Sequence, residues 1–168
     1  MRLPPALAIP FDLVPIALAE RTANLLLQKL MRKHPALFER LGEHKSKHYA
    51  FRPVDLPFVF LIAPAEEEVT VLRSDCSVEA DATVEGPFFI LLALMEGRLD
   101  GDALFFSRDL AVSGDMEAML ALRNALDDCD IDLPSDLSSL AGPFAPMVAH
   151  TAARIRGKVL FEEPRAWN

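Results

Sequence analysis

The sequence predicts an α+β domain in which helices pack on a single β-sheet. An amphipathic helical stretch lies near the N-terminus, several short β-like segments follow between Lys47 and Val84, and two more helical segments begin at Pro87 and Asp115. This order of helix, strands, helix, hairpin and helix is typical of the α+β class. With 168 residues, the chain is long enough for one hydrophobic core and short for two, so we predict a single domain over residues 1–168.

The first helical segment is predicted at approximately residues 15–33. Pro15 is favourable in the first turn of a helix, and Pro35 marks a break near the end of the segment. Apolar residues recur between polar ones, as expected for an amphipathic helix. They are Leu18, Leu25, Leu26, Leu27, Leu30 and Met31.

The region from Lys47 to Leu72 predicts three strands. It contains the continuous apolar run Phe58–Ala63 and a turn at Pro64–Glu68. A fourth strand is predicted over Val78–Val84, where small apolar residues alternate strictly with polar ones.

A helix that is apolar on every side is predicted over Phe88–Met95, between Pro87 and Gly97. The segments Ala103–Ser107 and Leu110–Ser113 predict a hairpin. A small sheet covers only one side of such a helix, and leaving several large apolar side chains exposed at about 1.5–3 kcal/mol each would remove much of the stability of a small domain. The other side of this helix therefore requires a helix, a partner or a ligand.

Asp115 is a suitable N-cap for a helix over Met116–Asp127. The apolar side of that helix is expected to be Met116, Met119, Leu120, Leu122 and Leu126. A last helical segment is predicted at approximately residues 143–157.

The charge of the chain argues against nucleic acid as a partner. The formal net charge is -8, which repels phosphate backbones and disfavours broad docking on anionic lipid. Two local basic clusters are candidates for a small patch that makes transient contact with a membrane. They are Arg21, Lys29, Arg32 and Lys33 near one end, and Arg154, Arg156 and Lys158 near the other.

The cysteines indicate a reducing compartment, and we expect a cytoplasmic protein. Cys76 and Cys129 form neither a CxxC pair nor a dense framework. The first ten residues are apolar, but Pro4, Pro5 and Pro10 interrupt any signal-peptide helix, so we interpret them as mature sequence.

No motif predicts catalysis, a metal or a cofactor. The segment Asp128–Asp132 begins like a calcium loop but has Leu133 where glycine is needed. The four histidines have no zinc-binding context, and we expect them to be solvated. Cys76 follows Asp75, whose charge disfavours a thiolate, so we expect a structural cysteine. A hydrolase would need Ser107 or Ser113 paired with a histidine, which no motif supports.

The remaining signal is an excess of large, flexible apolar residues in the second half of the chain. Each of them is compatible with ordinary core packing, but together they could line an adaptable lipid cavity. The predicted lining residues are Phe88, Phe89, Leu92, Met95, Phe105, Phe106, Met116, Met119 and Leu120.

Three segments carry a resemblance to a known family. They are Asp81–Pro87, Leu91–Gly97 and Asp102–Asp115. Together they resemble the sterol carrier protein type two (SCP2) family, and Leu122–Asp127 is most similar to its bacterial UbiT branch. The resemblance covers approximately residues 45–130.

The resemblance implies an SCP2-like mixed sheet of about five strands, with helices that enclose an apolar tunnel and no catalytic residue. It also implies an accessory factor that presents isoprenoid quinone precursors in oxygen-independent ubiquinone synthesis, with the UbiU and UbiV hydroxylases and other enzymes of that pathway as partners. Two alternatives stay open: a general carrier of sterols or fatty acyl chains, and an interaction scaffold whose apolar helix docks on a protein.

Overall fold

The computed structural model describes residues 14–95 and 110–127, all of which belong to one compact unit spanning Met1–Ile131. The prediction of a single domain over the whole chain stays a prediction. The hairpin strand at 103–107, the glycine at 97 and the last helical segment at 143–157 lie outside the described residues.

Two helices and a 3₁₀ turn precede the sheet. Helix α1 spans Ile16–Lys33, α2 spans Pro35–Arg40, and the 3₁₀ helix spans Gly42–Ser46. Helix α1 begins where the carbonyl of Pro15 accepts the N–H groups of Leu18 and Ala19. The first helix was predicted with nearly these bounds, whereas α2 and the 3₁₀ helix were not.

The sheet has five strands among the described residues, in the order β3-β2-β1-β4-β5. The strands are β1 (Tyr49–Pro53), β2 (Phe58–Ala63), β3 (Glu68–Arg73), β4 (Ala82–Gly86) and β5 (Ala111–Gly114). Strand β1 pairs parallel with β4, and the other three pairings are antiparallel. The sheet is therefore mixed, which confirms the predicted fold class.

Strand β4 begins four residues later than predicted. The alternation from Val78 onward was interpreted as one strand, but the ladder with β1 starts at the pair Tyr49 and Ala82. The carbonyl of His48 accepts the N–H groups of Asp81 and Ala82 at this point. Residues 78–80 lie before this first pair and have no ladder partner, so their alternation does not become strand.

Two further helices cover one face of the sheet: α3 (Phe88–Met95) and α4 (Met116–Asp127). Both have the predicted bounds. Their buried residues form one core with the central strands. That core comprises Tyr49, Phe51, Ala82, Val84, Ile90, Leu91, Leu94, Leu110, Ala118 and Met119.

Helix α1 closes the sheet at the β3 edge through its side chains. The Asn24 amide donates to the carbonyl oxygen of Val69 at 2.6 Å, and its oxygen accepts the N–H of Val69 at 2.9 Å. One turn earlier, a Glu20 carboxylate oxygen accepts the N–H of Val71 at 3.0 Å. These side chains supply the partners that another strand would otherwise provide, which protects an open edge from pairing with other chains.

Candidate functional site

Helix α3 is the element on which a functional site was predicted. Its start is determined locally, because the carbonyl of Pro87 accepts the N–H groups of Ile90 and Leu91. A distant residue adds to this, since a carboxylate oxygen of Asp55 accepts the N–H of Phe88 at 2.9 Å. The turn between β1 and β2 thus holds the first turn of the helix in place.

The two sides of α3 have different surroundings. Ile90, Leu91 and Leu94 are buried against the sheet. Phe88 and Leu92, which are one helical turn apart, are only half-buried. The second apolar side that the sequence predicted is therefore present and accessible in part.

Helix α4 contacts α3 and carries a second apolar surface. Its buried stripe runs through Ala118, Met119, Ala125 and Leu126. Met116 and Leu120, one turn apart, are 54% and 52% exposed. The apolar side predicted from the sequence is therefore divided, since Met119 is buried whereas Met116 and Leu120 are exposed.

The structure describes the side chains of five of the nine predicted lining residues, and these fall into three groups. Phe88 and Leu92 are half-buried, Met119 is fully packed in the core, and Met116 and Leu120 are exposed. The side chains of Phe89 and Met95, and residues Phe105 and Phe106, lie outside the described part of the structure. The lining of a tunnel by these nine residues stays a prediction.

A polar cluster joins the start of α4 to the sheet. The Lys47 Nζ lies 3.3 Å from Asp81 Oδ1 and 3.4 Å from Asp115 Oδ2. Asp115 Oδ1 also accepts the N–H groups of Glu117 and Ala118, as the predicted N-cap requires.

The charges of this cluster stabilise one another. The backbone N–H of His48 holds the pKa of Asp81 below its usual value, with Lys47 acting in the same direction. The N–H of Ala118 does the same for the pKa of Asp115. Hydrogen bonds from its ammonium group to both carboxylates raise the pKa of Lys47. Because each group has a structural partner, we assign the cluster to positioning α4.

Tyr49 is fully buried in the core and donates a hydrogen bond to the carbonyl of His44 at 2.9 Å. Burial, reinforced by the charges of Asp115 and Asp81, raises its pKa to about 12. The phenol is therefore neutral at physiological pH and links β1 to the 3₁₀ helix.

Several other sequence expectations can be checked against the structure. Cys76 is exposed, so the expectation of a structural role for it is wrong. The expectation of solvated histidines is wrong for two ring nitrogens, since His34 Nε2 and His44 Nδ1 are buried without a hydrogen bond. Ser113 is an exposed residue of β5.

The described residues contain no cluster of three or more His, Cys, Asp or Glu side chains suited to a metal ion. Within the same ranges, no helix combines the length and the apolarity needed to cross a membrane. An open depression lies between α1, α2 and the β2–β3 turn, with Met31, Pro35, Glu39 and Glu67 among its lining residues. None of the predicted lining residues contributes to this depression.

Sequence reasoning missed the anchors Asn24 and Asp55. Asparagine has low helix propensity, so its presence in the middle of α1 is a weak signal that the Asn24 side chain anchors the helix. Nothing near Asp55 in the sequence indicates that it caps a helix 33 residues later.

Comparison with known proteins gives one family match. The SCP-2 sterol transfer family matches residues 24–127. No curated protein sequence matches the chain.

Solved structures are similar to this chain at low sequence identity. A structure described as "UbiJ-SCP2 Ubiquinone synthesis protein" has 23% identity and a TM-score of 0.56, covering 71% of this chain and 98% of its own. The sterol carrier protein domain 2 of Helicoverpa armigera has 17% identity and a TM-score of 0.44, covering 64% and 87%. Apo sterol carrier protein 2 from Yarrowia lipolytica has 14% identity and a TM-score of 0.43, covering 64% and 88%.

Proposed function

Because the chain belongs to the SCP-2 sterol transfer family, we propose that it is a lipid carrier that holds isoprenoid quinone precursors against the apolar surfaces of α3 and α4. It presents them to enzymes of ubiquinone synthesis. The observation that carries the proposal is that α3 has apolar residues on both sides, with Phe88 and Leu92 left half-buried.

The energetics favour a ligand with a long hydrocarbon chain. Each CH₂ group removed from water contributes about 0.8 kcal/mol, so a polyprenyl chain binds an apolar surface without directional contacts. Met116 and Leu120 add exposed apolar area on the adjoining helix. Covering these four side chains with a lipid removes them from water as well.

The choice of a quinone precursor is supported by likeness and by sequence. A structure with this fold carries the description of a ubiquinone synthesis protein. The resemblance of Leu122–Asp127 to the UbiT branch supports the oxygen-independent pathway, with UbiU- and UbiV-like hydroxylases as the enzymes that receive the lipid. In this proposal the protein acts in the cytoplasm.

We propose no catalytic step for the protein. The side chains proposed to hold the lipid, Phe88, Leu92, Met116 and Leu120, are apolar. The polar cluster of Lys47, Asp81 and Asp115 is engaged in holding α4. In this proposal the chemistry belongs to the enzymes that receive the lipid.

The test is organic extraction of freshly purified protein followed by mass spectrometry of the lipids. Near-stoichiometric polyprenylated phenols or quinones are expected. A mixture of phospholipid and fatty acid would overturn the quinone assignment and favour a general lipid carrier. Protein without any lipid would overturn the carrier function itself.

A matched pair of variants tests the surface. Met116→Gln combined with Leu120→Gln is expected to lower the lipid content per protein, because it makes the exposed apolar surface of α4 polar. The control is Val54→Gln, since Val54 is 44% exposed but lies between β1 and β2. Equal lipid content in both proteins, with unchanged circular dichroism, would contradict the assignment of α4 to the site.

The exposed pair Met116 and Leu120 also favours a second candidate, an interaction scaffold of the quinone-synthesis assembly. It predicts purified protein without lipid that forms a stable complex with a purified partner enzyme. In that case the Met116→Gln and Leu120→Gln variant loses the complex in size-exclusion chromatography, whereas Val54→Gln retains it.

A further inference from the structure

The turn between β1 and β2 is hydrogen-bonded to the start of α3. A carboxylate oxygen of Asp55 accepts the N–H of Phe88 at 2.9 Å. Beside it, the backbone N–H of Val54 donates to the carbonyl of Gly86 at 3.0 Å. This one turn therefore holds both the last residue of β4 and the first residue of α3.

The same turn is anchored to other parts of the domain. The carbonyl of Pro57 accepts the N–H of Ser74 at 3.1 Å, just after the end of β3. The side chain of Leu56 is buried, with 7% of its surface exposed. Asp55 therefore reaches α3 from a support that is itself held in place on both sides.

Helix α3 has no capping side chain of its own. The carbonyl of Pro87 accepts the N–H groups of Ile90 and Leu91, so Pro87 occupies the N-cap position. A proline side chain has no oxygen that could accept a free N–H group of the first turn, and that turn contains no acidic residue. Asp55 supplies the missing acceptor and places a carboxylate at the positive end of the helix dipole.

The short length of α3 increases the importance of this bond. The helix has eight residues, which form about two turns, and a helix of that length is not stable by itself in water. Ile90, Leu91 and Leu94 hold it against the sheet. All three lie after the first residue of the helix, so the bond to Asp55 is what ties the backbone of Phe88 to the β1–β2 turn.

From this arrangement we infer that Asp55 is a positioning residue that sets how fast the carried lipid is released. The inference rests on the proposed function, in which Phe88 and Leu92 lie against the lipid. While the bond from Phe88 to Asp55 is intact, the first turn of α3 keeps the Phe88 ring in contact with the lipid. When that bond breaks, the first turn opens, the ring moves away and the lipid leaves.

Opening of the first turn requires much less free energy than separating α3 from the sheet. The second half of the helix keeps the buried contacts of Leu91 and Leu94, so only the residues near Phe88 need to move. Segments with few buried contacts open locally at free energies far below that of global unfolding. A hydrocarbon chain has no directional bonds to the protein, so the loss of apolar contact with Phe88 directly weakens its binding.

The test is the rate at which the full-length protein releases a fluorescent probe. The protein is loaded with a farnesylated phenol that carries a nitrobenzoxadiazole group, and release into excess methyl-β-cyclodextrin is followed by stopped-flow fluorescence. Asp55→Ala is expected to release the probe about 10-fold faster, which corresponds to about 1.4 kcal/mol for the lost bond. Asp55→Asn is expected to stay within about threefold of the unmodified protein, because an asparagine oxygen caps a helix nearly as well as an aspartate oxygen.

Glu20→Ala is the matched control. A carboxylate oxygen of Glu20 also accepts a backbone N–H, that of Val71 at 3.0 Å, but it does so at the β3 edge of the sheet. Both alanine variants are expected to lower the melting temperature to a similar extent, and only Asp55→Ala is expected to change the release rate. Release from Asp55→Ala at the rate of the unmodified protein would overturn the inference, and so would equally fast release from Glu20→Ala.

Hydrogen exchange in the unmodified protein provides a second test, which does not require a variant to fold. Loading with the probe is expected to slow exchange of the Phe88 N–H more than that of the Val71 N–H, because bound lipid keeps the first turn of α3 closed. Slowing at Phe88 that is no greater than at Val71 would overturn the inference.

The release experiment also distinguishes failure of the inference from failure of the proposed function. If the unmodified protein binds no probe, the carrier function fails and the inference fails with it. If the protein binds the probe and Asp55→Ala releases it at the unmodified rate, only the inference fails.

Discussion

Replacing Gly114 with alanine tests how the start of α4 is joined to the sheet. Gly114 has φ of +88°, and a Cβ atom built there would overlap the carbonyl oxygen of Asp81 and lie 3.1 Å from the Cα of Ala82. The same oxygen accepts the N–H of Asp115 at 2.7 Å. Any side chain at residue 114 must therefore displace the β4 backbone and disturb this hydrogen bond.

The expected loss of stability can be estimated from these contacts. A side chain at positive φ costs about 1–2 kcal/mol. A weakened backbone hydrogen bond adds about 0.5–1.5 kcal/mol, and residual overlap with Asp81 adds to both. We expect Gly114→Ala to lower the free energy of unfolding by about 2–4 kcal/mol, a large fraction of the 5–15 kcal/mol typical of a domain.

Gly42 provides the matched control. Its φ is +52°, but a Cβ atom there meets nothing within 4 Å. Gly42→Ala is therefore expected to lose only about 1–2 kcal/mol from the backbone conformation. Urea denaturation followed by circular dichroism gives both values. If Gly114→Ala loses no more stability than Gly42→Ala, the close approach to Asp81 has no energetic consequence and the reasoning is wrong.

Three other predictions concern the anchors of the fold. Asn24→Ala should lower the free energy of unfolding by about 1–3 kcal/mol, since both hydrogen bonds between Asn24 and Val69 are lost. It should also speed hydrogen exchange at the Val69 N–H. Unchanged exchange would show that α1 does not protect the β3 edge of the sheet. The pKa of Asp115 is lowered in the fold. Ionised Asp115 therefore stabilises the folded protein at pH values above the usual pKa of a carboxyl group, and this stabilisation is lost as the pH falls through the lowered pKa. Asp115→Asn should therefore reduce the decline of stability below about pH 4, measured as melting temperature against pH, and an identical acid decline would contradict this. Tyr49 is the only tyrosine of the chain, and its ultraviolet absorbance should show titration near its raised pKa of about 12. The neutral buried phenol contributes its full stabilisation below pH 10, and this contribution is lost as the pH rises through about 12. Tyr49→Phe should therefore lack this alkaline loss of stability.

Local chemistry in the sequence is sufficient for several elements. The start of α3 follows from Pro87, and the start of α4 follows from the capping side chain of Asp115, which accepts N–H groups two and three residues later. The first three strands also follow from short apolar runs separated by turn residues. These signals depend on neighbouring residues, so they are readable without the rest of the fold.

The candidate site could be predicted only in part. The all-apolar composition of α3 indicates that it needs cover on more than one side, and the half-buried Phe88 and Leu92 agree with that. On α4, Met116 and Leu120 were predicted on the apolar side of the helix, but they are exposed, and Ala118 and Ala125 belong to the buried stripe. An amphipathic pattern does not account for how closely a helix approaches a sheet.

Contacts between distant segments set the remaining features. Strand β4 begins at Ala82 because its ladder with β1 begins at Tyr49, and no alternation within residues 78–84 contains that information. Asn24 reaches Val69 across 45 residues of sequence, and that bond orients α1 so that Leu18 faces outward. The composition of a helix is a property of its own residues, but the direction in which each side faces depends on the surface that it meets. For this reason the family and most element bounds follow from sequence, whereas the exposed surfaces and the contact between Asp55 and Phe88, on which the two proposals rest, follow from packing.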